Sequence, residues 1–96
     1  MSATRSSEEA QADLDTILLY SMDKWGVVRA FDHMTDMDHR MQLLAGRELP
    51  GVRADDVAQG LRRQVSGSHV IWFRVEGDAL RVVRVLHGAR DVCEVG

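Results

Sequence analysis

The chain has 96 residues, 12 Lys/Arg against 15 Asp/Glu, a net charge of −3 and one cysteine, Cys93. That length makes a single domain, residues 1–96, with room for a modest core. A lone cysteine excludes an internal disulfide. No apolar run approaches the roughly 18 residues of a bilayer span, and the polar start MSATRSSEEA lacks the apolar segment of a secretory signal. The expected setting is therefore cytoplasmic, with no membrane contact.

The charge is unevenly spread. Residues 1–59 carry six Lys/Arg and eleven Asp/Glu, for −5; residues 60–96 carry six arginines and four acids, for +2. A protein that grips nucleic acid unaided has a stronger basic balance, so no direct nucleic-acid binding is expected. An arginine-rich back half equally suits an acidic protein surface.

In chain order, Ala3–Ser6 is polar, and Thr4 is its one strong strand former. Ser6 or Ser7 can cap a helix whose first turn holds Glu8 and Glu9. Ala10, Leu14, Ile17, Leu18 and Ser21 follow at helical spacing, with Asp13, Asp15 and Thr16 on the opposite face. Trp25-Gly26 ends that helix, Gly26 taking positive φ. A second helix is expected over Val27–Leu44, where Ala30, Met34, Met37, Met41 and Leu44 form one apolar stripe and Asp32, His33, Asp36 and Arg40 lie off it. So short a link forces an antiparallel helical hairpin.

Residues 46–60 read as a linker around Leu49-Pro50-Gly51, with Val52 and Val57 as isolated anchors. Leu61–Val65 is a short strand, and Ser66-Gly67-Ser68 turns the chain. Two runs, His69–Val75 and Leu80–Leu86, flank Gly77-Asp78 as a β-hairpin. A regular two-residue turn would pair Val75 with Leu80, Phe73 with Val82, Ile71 with Arg84 and His69 with Leu86. The other face would pair Arg74 with Arg81, Trp72 with Val83 and Val70 with Val85. Apolar residues on both faces imply a sheet covered on both sides, by its own chain or by a partner. The tail 88–96 is expected to be irregular. The fold class is thus α+β: an N-terminal strand, a helical hairpin, then a three-stranded antiparallel meander.

Chemistry-bearing patterns are sparse. His33, His39, His69 and His87 form no metal-ligand spacing with Cys93, and both common phosphate-loop motifs are absent. His87 and Asp91, four apart, are the kind of pair any small domain offers. RNA cleavage needs a base, an acid and cations on the phosphorane. Arg62, Arg74, Arg81, Arg84 and Arg90, with His69 and His87, are the residues that chemistry would draw on. No metal site, no cofactor and no catalytic residue is assigned.

Several segments resemble one known family: Ala12-Asp13-Leu14-Asp15-Thr16-Ile17, Tyr20, Lys24-Trp25-Gly26-Val27, Gly60-Leu61-Arg62, Gly67-Ser68-His69-Val70-Ile71-Trp72-Phe73-Arg74-Val75, and Val83-Arg84-Val85-Leu86-His87 with Asp91. In this order they resemble the ParE branch of the RelE/ParE toxin superfamily over nearly the whole chain. Arg90 stands where that pattern has Met, and Phe73 where it has Tyr. The resemblance implies a small antiparallel sheet with an N-terminal strand, packed by a helical hairpin. It further implies the toxin of a bacterial type II toxin–antitoxin pair, of the kind tied to plasmid stabilisation. Such a toxin inhibits DNA gyrase by protein–protein binding, is not an enzyme, and forms a hetero-oligomer with a ParD-type ribbon-helix-helix antitoxin.

The nuclease branch of the superfamily, the ribosome-dependent mRNA endonucleases of the RelE type, is the alternative. Aligning the end of the last strand puts Gly88 and Glu94 at that branch's arginine and tyrosine. Val70 and Gln64 fall at two further basic positions, and only Arg62 matches. A third reading is an inactive toxin retained as a co-repressor that binds antitoxin. The helical stripe covers one sheet face, so the partner-binding residues are expected on and around the other: Val70, Trp72, Arg74, Arg81, Val83, His87 and Arg90. The groove beside the helical hairpin is the other surface offered to the antitoxin.

Overall fold

A computed structural model of the chain describes residues 3–77 and 79–88. The fold is α+β. In order it runs β1 (Ala3–Ser6), α1 (Glu8–Trp25), α2 (Val27–Ala45), β2 (Val52–Arg53), β3 (Arg62–Ser66), β4 (His69–Glu76) and β5 (Ala79–His87). The sheet order is β1-β5-β4-β3-β2. The expected strand, helical hairpin and meander are present. Two features extend them: β1 pairs parallel with β5, not antiparallel, and β2 adds a fifth strand inside the expected linker.

Ser7 starts α1. Its Oγ accepts the Ala10 N–H at 3.0 Å and donates to the Val83 carbonyl at 2.7 Å, so one hydroxyl caps the helix and ties it to the sheet. At the far end Gly26 has φ 87° and donates its N–H to the Met22 carbonyl. That left-handed residue lets α2 begin at once and fold back on α1.

The main core lies between the hairpin helices and the sheet. Ala10 and Ile17 of α1, with Met37, Met41, Leu44 and Ala45 of α2, meet Ile71, Phe73, Leu80, Val82 and Val85. The α2 stripe is the expected one, with Met34 packed at its border.

A second, smaller core fills the other face. Ala54, Leu61, Trp72 and Leu86 are buried together, with Val57, Ala58, Val70 and Val83 against them. The chain from 54 to 61 is held over this face by the Ala54 N–H to Leu61 carbonyl bond, 2.8 Å, and by turns at Val57 and Leu61. The Gly60 N–H, and then the Arg53 guanidinium, keep the exposed Asp55 carboxylate below its usual range. Gly51, just before β2, is required on the main-core side of the sheet, against Phe73. Its φ is +70°, and an added Cβ would stand 2.5 Å from Phe73 Cζ. Of the two expected anchors, Val57 is partly buried and Val52 is exposed.

The β4–β5 register departs from regular pairing. Val75↔Leu80, Arg74↔Arg81 and Phe73↔Val82 hold, but Trp72 then pairs with Arg84, Ile71 with Val85, Val70 with Leu86 and His69 with His87. The shift between Trp72 and Phe73 marks a β-bulge on β5. Regular alternation would have set Arg84 opposite Ile71, among the core side chains. The extra residue places Val85 there and leaves Arg84 to reach α1. The tail from 89 onward lies outside the described residues, and with it Arg90 and Asp91.

Candidate functional site

Asp13 is pulled off the solvent face of α1 by the bulge. Its carboxylate accepts from Arg84 Nε (2.7 Å), Arg84 Nη2 (3.0 Å) and the Val85 N–H (3.0 Å). Both side chains of this pair are largely buried. The bulge frees a backbone donor from the strand ladder, and Asp13 satisfies it while its charge is matched by a bidentate arginine.

On the same side of α1, a cleft of about 540 Å³ opens against the end of the hairpin. Its α1 wall holds Asp13, Thr16, Ile17, Tyr20, Lys24 and Trp25; its sheet wall holds Ser68, His69, Val85, Leu86 and His87. Ile17 and Val85 give it an apolar floor. Tyr20 is 55% exposed and Trp25 is also open to solvent. Lys24 Nζ donates to the Tyr20 hydroxyl at 3.1 Å and lies 5.5 Å from its ring centroid.

Aromatic rings run from the cleft toward α2. Trp25 meets His33 edge-on with centroids 5.9 Å apart, His33 lies 5.4 Å from His69, and His69 lies 5.7 Å from His87. His69 is 7% exposed. Burial first, then the neighbouring His33 and His87, push it below the ordinary histidine range. No cluster of three metal-ligating side chains occurs among the described residues.

The structure separates the residues expected to bind a partner. Trp72 is 3% exposed, lying under Ala54 and Leu61 with the Arg63 guanidinium 6.0 Å from its ring centroid. It is a core residue, so it offers no open anchor. The reason is a cover the hydropathy pattern hides, because residues 54–61 reach the sheet with small side chains. Val70 and Val83 are half-buried at the border of that core. Arg74 donates to the Gln59 carbonyl, and Arg81, directly opposite it in the sheet, is exposed. His87 lies apart from these, in the α1 cleft.

Sequence reasoning missed Tyr20, Lys24, Trp25, His33 and the Asp13–Arg84 pin as parts of one region. A signal existed: Asp13, Thr16, Ile17, Tyr20 and Lys24 recur at three- and four-residue steps along α1, a second stripe beside the apolar one.

Residues 5–92 match the model of the family described as the ParE toxin of the type II toxin–antitoxin system, parDE. The chain belongs to the ParE toxin family. It is 38% identical over 87 residues to toxin ParE1 of Caulobacter vibrioides, covering 91% of this chain and 90% of that protein. It is 36% identical to toxin ParE1 of Mycobacterium tuberculosis, over 90% and 89% of the two chains. A solved chain of the chromosomal ParDE TA system from P. aeruginosa shares the fold with a TM-score of 0.75 at 21% identity, over 91% of this chain and 96% of that one. The toxin is therefore a type II toxin–antitoxin component. No helix among its described residues is long and apolar enough to cross a membrane.

Proposed function

We propose that this ParE toxin acts without catalysis, by binding DNA gyrase. We further propose that a ParD-type antitoxin neutralises it by laying an amphipathic segment in the cleft beside α1. Family membership supports the gyrase target. The cleft carries the antitoxin reading: it joins an apolar floor to open Tyr20 and Trp25, residue types enriched in binding hot spots, with Lys24 beside them. The opposite sheet face is less suited, because its largest apolar side chain, Trp72, is already covered by the chain itself.

One observation favours a second reading. His69, His87 and Lys24 share the cleft, and proton transfer beside a cation is what RNA cleavage through a 2′-hydroxyl demands. Against it, the Arg84 guanidinium is bonded to Asp13, and His69 is largely buried. Purified toxin tested on gyrase supercoiling and on ribosome-bound mRNA separates the two. Loss of supercoiling with mRNA intact is the expected outcome. Cleaved mRNA with supercoiling unaffected would overturn the gyrase reading.

A further inference from the structure

Two imidazoles carry more structural detail than partner binding alone explains. His33 of α2 and His69 of β4 pack with centroids 5.4 Å apart. His33 Nε2 and His69 Nδ1 are both buried, and neither has a hydrogen-bond partner. A neutral imidazole tolerates this by carrying its proton on the other nitrogen, leaving a bare lone pair inside. A second proton would create a buried N–H with no acceptor and a charge with little solvent around it.

The surroundings offer that charge no carboxylate. From α1, Lys24 and Tyr20 face the cleft that His69 lines, and Asp13 is bonded to Arg84. From β5 come His87, itself 5.7 Å from His69, and the paired Arg84. The neighbouring β3 residue across the sheet is Ser66, and the turn presents Gly67 to His33. On α2, Asp36 is bonded to Arg40. Among the described residues no carboxylate bonds to the His33 or His69 ring.

We propose that His33 and His69 form a proton-sensitive latch between α2 and the cleft end of the sheet. With His69 uncharged the two rings pack together and hold the seam closed; a proton on His69 puts an unpartnered charge into that seam and loosens it. The latch belongs to the chain itself and stands whichever target the toxin binds.

The sign follows from linkage. Where the folded group binds protons less readily than the unfolded one, the unfolded state carries more of them and stability rises with pH. The uncharged His69 contributes fully above the unfolded histidine value, about 6.5. Its contribution is lost as pH falls through the lower folded value.

The test is a carbon–proton NMR titration of the imidazoles in the full chain, with hydrogen exchange and urea unfolding from pH 8 to 5. The His69 ring should titrate below ordinary histidine, and His33→Asn should raise that midpoint by removing a neighbouring imidazole that lowers it. The folding constant should fall by up to about tenfold per pH unit within the His69 window. Exchange of the amides of residues 66–69 should quicken with it, and His69→Gln should flatten the slope. If His69→Gln does not fold, the wild-type and His33→Asn titrations decide alone. A His69 midpoint at or above the ordinary value, or one unmoved by His33→Asn, would overturn the latch. So would a His69→Gln protein that keeps the wild-type pH slope.

Discussion

On one face of the β4–β5 hairpin, Trp72 lies under Ala54 and Leu61; on the other, Tyr20 and Trp25 stand open beside Ile17 and Val85. Both faces carry apolar side chains, and the sequence favours the first as the free one. What closes it is the segment 54–61, whose small residues, Ala54 and Ala58 with Val57, reach the sheet without any helical or strand periodicity. What leaves the second open is the gap between α1 and the end of the hairpin, where the cleft lies. The amount of apolar surface on a strand therefore does not say which face is free. The cover does, and a cover made of loop leaves a weak trace in sequence.

The largest test of this contrast is Trp72→Ala. If the face is a true core, removing the indole costs about 3–5 kcal/mol of stability in urea unfolding. A loss under about 1 kcal/mol would mean that the loop does not cover the ring.

Next comes Asp13→Ala, which removes the carboxylate that holds both Arg84 and the Val85 N–H. Leaving a largely buried arginine and a backbone donor without their partner should cost about 3 kcal/mol. It should also quicken hydrogen exchange at Val85 more than at Val75, on the regular side of the hairpin. Equal exchange at the two sites would break the link between the pin and the bulge.

The smallest effect is expected from Arg81→Ala, on the exposed side of the hairpin across from Arg74. Its stability should change by less than about 0.5 kcal/mol in either direction, because the site lacks the burial that makes substitutions costly. Relief of the repulsion between facing arginines gives a slight gain. A larger loss would show that Arg81 has a role in the second core.

Much of the fold was legible because its signals are local. Ser7 and Gly26 mark the ends of α1, the 4-3-4-3 spacing from Ala30 to Leu44 marks α2, and Gly77-Asp78 marks the hairpin turn. The parallel pairing of β1 was not, because Ala3–Ser6 has no apolar pattern, and its place beside β5 is a matter of distant contacts. The bulge was hidden for a related reason. Val82, Val83 and Val85 satisfy either register; the bulged one takes Arg84 out of the core and brings the Val85 N–H to Asp13, 72 residues away in sequence. Of the candidate cleft, the sequence offers one wall more readily than the other. His87, expected among the partner-binding residues, lines the cleft, whereas Trp72 has the composition of a hot spot and the burial of a core residue.

The most direct measurement of the central claim is calorimetric binding of a purified ParD-type antitoxin to two surface variants of the toxin. One is Tyr20→Ala combined with Lys24→Ala in the cleft; the other is Arg81→Ala combined with Val83→Ser on the opposite face. The cleft account predicts at least about a tenfold weaker Kd for the first, equivalent to about 1.4 kcal/mol, and a change within about twofold for the second. The reverse order, with the cleft variant binding like wild type, would contradict it.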